Sequence, residues 1–460
     1  MNPRLVPTVA LVAITAVLVA CVPATANVIT VSWQGTAMYT YIQDGIDAAS
    51  PGDTVEVAPG IYEGPWNRDL DFGGTPLTLI APSGPTLTAL NCESAGRAFF
   101  FHSGEDTTAI VSGFRITGAL ADSGGGAYCR NGSSPKFVDC DFAYNAATDR
   151  GGALCCDSSS PTIRGCSFIE NVATGGTYPY GGAIACVSGS APTVSDTDFD
   201  GNLSVRMGGA VYLNSSPATF VRCDFTNNNT GTYGYSGATA ALASTNGASF
   251  TDCSFRGNGL LETAVGGLYA SGSTVAVTDC DFIGNAAGQG AGIHFTSSST
   301  GTVTGCTFAD NSTYWGSAAA GIHFHMSSGP VVSNCTFVAN ADCHISLEDC
   351  SPTIEYCVLA FATQGGAIIC ETDGEPVVHH CFIYENAGGD SLCGTSYHDN
   401  MFDDPLFCDY PGGDYTLCAD SPCLAGVTWP QPVGAHGQGC AACGSAVEQA
   451  SWGIIKSRYR

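Results

Sequence analysis

The chain has 460 residues, of which 59 are glycine and only 12% are charged, and 41 acidic against 14 basic residues give a formal net charge of −27. No Lys or Arg occurs between Gly257 and Ile455, so no basic face is available for nucleic acid. With 44% apolar residues the composition is not that of a disordered chain, and the strict glycine period of collagen is missing.

Residues 1–26 read as an export signal. Arg4 is its short basic start, Leu5 to Ala20 an uncharged apolar run, and Ala24-Thr25-Ala26 a small-residue cleavage site. A second reading overlaps it: Leu18-Val19-Ala20-Cys21 has the form of a bacterial lipoprotein box, in which Cys21 is lipidated. The apolar run is short for a retained membrane helix. A lipid on Cys21 is therefore the only membrane attachment expected. The expected location is secreted or envelope-associated, on the outer surface or in the periplasm.

Residues 27–110 form an N-terminal cap and the first coils. Residues 40–49 suit a short amphipathic helix with Ile42, Ile46 and Ala49 on one face. Residues 111–390 carry an internal repeat: Cys140-x-Phe142-x-x-Asn145, Cys166/Phe168/Asn171, Thr197/Phe199/Asn202, Cys223/Phe225/Asn228 and onward through Cys335/Phe337/Asn340. Cys357/Leu359/Ala362 and Cys381/Ile383/Asn386 are worn copies. Gly-Gly-Ala-aliphatic stretches such as Gly181-Gly182-Ala183-Ile184, and Ser-Pro-Thr stretches such as Ser160-Pro161-Thr162, open two further alternating runs per repeat. Three short strands in ~26 residues leave no room for crossover helices. Stacked coils solve this, because each strand pairs with its equivalent one turn away. The fold class is therefore all-β, a right-handed parallel β-helix of about eleven three-strand coils, roughly 53 Å long at a strand spacing of ~4.8 Å. Cys and Phe at i and i+2 share the inner face, and the corner Asn residues stack on their own kind.

These repeats resemble those of bacterial polymorphic outer membrane proteins, within the pectin-lyase-like β-helix superfamily. Ile42-Gln43-Asp44-Gly45-Ile46-Asp47-Ala48-Ala49, then Gly52-Asp53-Thr54-Val55 and Pro59-Gly60-Ile61-Tyr62, are similar to the opening segment of right-handed β-helix proteins. Asp404-Pro405-Leu406-Phe407, Asp414-Tyr415 and Ser421-Pro422-Cys423 are similar to the closing one. The resemblance implies the fold over roughly residues 28–440. It implies no single activity, and the ~10-residue alternating strands of a C-terminal membrane barrel are not seen.

Residues 391–440 read as an exit cap and 441–460 as a tail. Cys393, Cys408, Cys418, Cys423, Cys440 and Cys443 lie in loop-rich sequence and are expected to form disulfides, with pairing left open. The repeat cysteines are expected to be free, because equivalent positions on stacked coils stand too far apart for a relaxed disulfide.

Three constellations carry potential chemistry. Aligning Ile293, Ile322 and Ile345 sets His294 beside His323, and His325 beside Glu348, a zinc-type ligand set on the exterior. Stacking Asp198 on Asp224 creates like-charge repulsion that calcium would relieve, whereas the row Asp196, Arg222, Asp252 neutralises itself. Tyr178, Tyr180, Tyr233, Tyr235, Tyr314 and Trp315 lie in long segments between the corner Asn and the next Gly-Gly, where aromatic rings can stack on sugars. No cofactor is required; calcium and zinc are the ions considered.

Many pectin-lyase-like proteins cleave polysaccharides. The paired-Asp, Gly-His-Gly and Arg-x-Lys signatures of galacturonan hydrolases are absent from this sequence. The expectation is an exported, non-catalytic rod that binds an extracellular glycan or a surface protein. The alternative is a polysaccharide lyase or glycoside hydrolase.

Overall fold

The computed structural model describes residues 26–177, 179–231, 238–259, 265–314, 319–327, 329–394 and 396–443. Its organising element is a ladder of fifteen parallel strands, from Val28–Val31 to Ser396–His398, each one coil beyond the last. A second parallel ladder runs from Gly60–Tyr62 to Phe382–Tyr384, and a third, of eleven strands, from Phe99–Phe101 to Ile368–Cys370. The rod is thus about fifteen turns rather than eleven, or ~72 Å at the usual strand spacing. The early coils escape the repeat pattern because their inward positions are Val55, Leu79 and Val111, with no Cys-x-Phe pair beside them.

Strict register turns the repeat into columns. Eight phenylalanines from Phe142 to Phe337 stack inside, with successive ring centroids 4.6–5.0 Å apart and planes within 7°. Such pairs add about 0.5–1.5 kcal/mol beyond area burial. At the corner, Asn171 donates from Nδ2 to Asn202 Oδ1 at 3.0 Å and to the Phe142 carbonyl at 2.8 Å, and the arrangement repeats from Asn145 to Asn340. The Gly-Gly turn is sterically obligatory. Gly181 has φ +69°, and a Cβ on Gly182 would collide with the Gly209 carbonyl. The helix Ile42–Asp47 buries Ile42 and Ile46, as its periodicity predicts.

The C-terminal segment read as the exit cap lies along the side of the rod. Phe407–Asp409, Asp414–Cys418 and Gln438–Cys440 form a small sheet that folds back along the side of the rod. It covers the outer face of the second ladder, where Ala309, Val338, Val358, Ala360 and Phe382 pack against Phe407, Tyr415, Leu417 and Val433. Polar ties hold it down: His436 Nε2 to Thr307 Oγ1 at 2.9 Å, Ala435 N–H to Thr336 Oγ1 at 2.9 Å, and Gly434 N–H to the Tyr356 carbonyl at 2.8 Å. The outward positions of these coils have exchanged the aspartates of earlier coils for apolar residues, which makes the cover favourable.

Disulfides join Cys370–Cys393, Cys408–Cys440 and Cys418–Cys443. Cys423, expected to be cross-linked, is instead a buried free thiol in the apolar layer under the C-terminal sheet. Cys370 takes its place as a partner, because its strand ends beside the chain returning at Cys393. Among the described residues seventeen cysteines are free, all of them buried, and they include the repeat column. Among the described residues no helix is long and apolar enough to cross a membrane.

Candidate functional site

On the third ladder, residues between the inward ones point away from the core. Tyr212 is one, lying between the inward Val211 and Leu213. The segment that leaves the corner after Asn171 returns at Tyr180, which bridges Arg150 of the previous coil and Met207 of the next. Stacked coils thereby bring Arg150, Tyr180 and Tyr212 together. Tyr180 and Tyr212 stack at 4.4 Å and 21°. With Val187, Ser188, Asn214 and Ser215 they line a groove of about 460 Å³.

The polar groups of the groove are ordered. Asn214 Nδ2 donates to the Tyr212 hydroxyl at 3.1 Å, and Arg206 Nη1 to the Tyr180 hydroxyl at 3.5 Å. Arg150 lies 3.5 Å from Asp149. Burial raises the Tyr212 phenol, so it keeps its proton. Three and four coils before Tyr212 the same flank holds a second cluster. Phe100 and Tyr128 stack at 5.9 Å, the Arg97 guanidinium sits 5.2 Å from the first ring and 5.5 Å from the second, and Arg130 lies 5.9 Å from Tyr128. Burial pushes the Tyr128 phenol up to about 12. Four of the chain's 14 basic residues therefore flank aromatic rings on one side of the rod. Guanidinium groups there can pair with anions in two-point fashion, and the rings offer apolar faces to sugars.

Of the six aromatic residues singled out from sequence, Tyr180 lies in this groove, half-buried against its neighbour, and Tyr314 is exposed after the short strand Ser312–Thr313. Tyr178, Tyr233, Tyr235 and Trp315, like Cys21, lie outside the described residues. Sequence reading missed Tyr212 and Arg150, because it looked for aromatics in loops. The signal was the aromatic at an outward strand position in Val211-Tyr212-Leu213.

The histidine register is as expected: His294 pairs with His323, His323 with Ser346, and His325 with Glu348. The environment is not the expected exterior. His294 and His323 are 5% and 2% exposed, and Gly290 packs so closely on the pair that a Cβ there would collide with His294 Cβ and crowd His323 Cβ. The two rings meet edge to face at 4.7 Å, and both nitrogens of His294 are buried without a partner among the described residues. His323 Nδ1 lies 2.7 Å from Ser346 Oγ, and His325 Nε2 lies 3.8 Å from Glu348. Desolvation lowers His294 well below its ordinary range and His323 to about 4.

Asp198 and Asp224 are in register on an open acidic surface with Asp200 and Arg256. Burial, then the charges of Asp224 and Asp200, raise the Asp198 carboxyl. On the neighbouring row Arg222 grips Asp196 through Nε at 2.6 Å and Nη2 at 3.1 Å. Among the described residues, the one group of three His, Cys, Asp or Glu ligand atoms within 4.8 Å of one another is Cys408, Cys418 and Cys440, whose sulfurs are engaged in disulfides.

Among solved structures the chain is similar to pectate lyase Pel9A, at 11% identity and a TM-score of 0.39, over 90% of this chain and 97% of that one. It is also similar to the A-module of the mannuronan C-5 epimerase AlgE4 from Azotobacter vinelandii (12% identity, TM-score 0.38, 78% of this chain and 94% of that one). A third is a pectin methylesterase from carrot, at 9% identity and a TM-score of 0.26, over 82% and 88% of the two chains. No curated protein matches the sequence significantly. The family model of the right handed beta helix region matches residues 86–203, 182–314 and 240–404. With parallel ladders, stacked columns and this match agreeing, the chain belongs to the right-handed β-helix family.

Proposed function

We propose that this protein is an exported, non-catalytic rod that binds extracellular glycans carrying acidic groups. The observation that carries the reading is the joining of Arg150 to the Tyr180–Tyr212 stack in one groove. Tyrosine faces take sugar rings, and the guanidinium takes a carboxylate or sulfate. The Arg97–Phe100–Tyr128–Arg130 cluster on the same flank supplies a second contact point for a long chain. Binding is favoured over hydrolysis because, among the described residues, the groove lining holds no carboxylate or histidine and the adjacent Asp149 is paired with Arg150, whereas glycoside hydrolysis uses two carboxyl groups.

The test is retention of purified protein on a panel of uronate, sulfated and neutral polysaccharides, with product analysis in parallel. Acidic glycans are expected to bind, with loss of at least about tenfold in affinity for Arg150→Gln and Tyr180→Leu. Equal retention of wild type and both variants would place binding elsewhere. New unsaturated or reducing ends would turn the reading to a lyase or hydrolase.

A further inference from the structure

A separate cluster lies at the far end of the rod. Glu355, His379 and His398 occupy one outward column of the first ladder in three successive coils. The next residue of each coil, Tyr356, His380 and Asp399, sits at the corner with φ between +52° and +56°. These two columns form a block in which His379/His380 stands over His398/Asp399.

The contacts within it are short. Nδ1 of His379 lies 2.9 Å from Nδ1 of His380, and His398 Nδ1 lies 2.9 Å from an Asp399 oxygen. His379 stacks on His398 at 5.2 Å and 5°. Glu355 lies 3.4 Å from His379 Nε2. A carboxylate accepts at that distance, so Nε2 carries the proton and His379 Nδ1 presents its lone pair. His380 is braced by Tyr356 at 4.8 Å and by Trp429, from the folded-back C-terminal segment, at 5.1 Å.

From this geometry we infer that His379, His380, His398 and Asp399 bind a divalent transition metal, with Glu355 orienting His379 from behind. Ligands at ~2.0–2.1 Å from one ion in neighbouring positions stand roughly 2.9–3.4 Å apart, the spacing that His379 and His380 already have. An imidazole-rich set selects zinc, copper or nickel over calcium or magnesium. The four ligand atoms are not yet gathered about a point. His398 and Asp399 close the set by side-chain rotation, for which their 59% and 64% side-chain exposure leaves room. On binding, the His380 proton moves from Nδ1 to Nε2, so the ion replaces the proton now shared between the two rings.

The test is calorimetric titration of tag-free full-length protein with zinc chloride, with metal content measured after dialysis. One zinc per chain is expected, with affinity reduced at least about tenfold in His379→Ala and in His398→Ala. His323→Gln, in the buried histidine pair, is expected to bind zinc as wild type does. Loss of zinc in His323→Gln with full binding in His379→Ala would overturn the assignment, as would no zinc uptake by the wild type. Thermal unfolding without metal confirms that each variant is folded.

Discussion

Asn340 donates from Nδ2 to Nδ1 of His344 at 3.0 Å. The other ring nitrogen of His344 lies 2.9 Å from Asn386 Oδ1 and 3.1 Å from the Ala360 carbonyl, both acceptors, so Nε2 carries the proton. The asparagine column reaches Asn340 and resumes at Asn386, while the coil between them offers Ala362 at that corner. The fully buried imidazole spans the gap and keeps the column continuous.

His344 makes stability depend on pH. Desolvation lowers its folded pKa to about 4, against an unfolded value near 6.5. Its contribution is complete above pH 6.5 and is lost as pH falls toward 4, because the unfolded chain takes up the proton first. One such group is worth roughly 3 kcal/mol across that window, and the lowered His323 acts in the same direction. The urea midpoint is expected to fall between pH 7.5 and pH 5, and to fall less in His344→Asn. Identical pH dependence in the two proteins would contradict this origin.

Asn228 sits mid-column, donating from Nδ2 to the Phe199 carbonyl at 2.8 Å while its Oδ1 accepts from Asn202 N–H at 3.1 Å. Asn228→Ala strands buried partners in two coils, at about 1–3 kcal/mol for each unsatisfied group. A lower unfolding temperature with the native circular dichroism retained is expected. An unchanged midpoint would mean that the column is ornamental.

Thiol counting tests the division of cysteines. Unreduced protein in denaturant is expected to titrate seventeen thiols from the described residues, and the native protein almost none, because all of them are buried. Cys423 should be alkylated only after unfolding. A count near zero would show disulfides where the columns are drawn as free.

His294 holds two buried nitrogens without partners among the described residues. Replacing an unsatisfied buried polar group by an apolar one of similar size is neutral or stabilising. His294→Leu is therefore expected to hold or raise the unfolding temperature near neutral pH, and to flatten the acid-side loss. Marked destabilisation at neutral pH would refute this view of the site.

Sequence reading reached far where the repeat is regular. The pairings His294–His323, His325–Glu348 and Asp198–Asp224, the Arg222–Asp196 ion pair and the Phe column all follow from aligning one inward residue per coil. It failed where register signals fade or where the chain folds across coils. The last coil advances by only 19 residues and puts Asn400 in the cysteine slot, which hid the alignment of His398 with His379. The burial of His294 and His323 goes with the close packing of Gly290 on both, which strand alternation alone does not encode. Tyr212 escaped because its partner, Arg150, lies two coils away through Tyr180.

The folded-back C-terminal sheet ties residues far apart in synthesis order: Tyr415 reaches Asp310 across 105 positions, and His436 reaches Thr307 across 129. A nascent chain can wind its coils one after another while Ala309, Val338 and Ala360 still face water. Only the arrival of the final strand hides that strip. Premature termination just before Phe407 would therefore release a wound but sticky filament, self-associating along one flank.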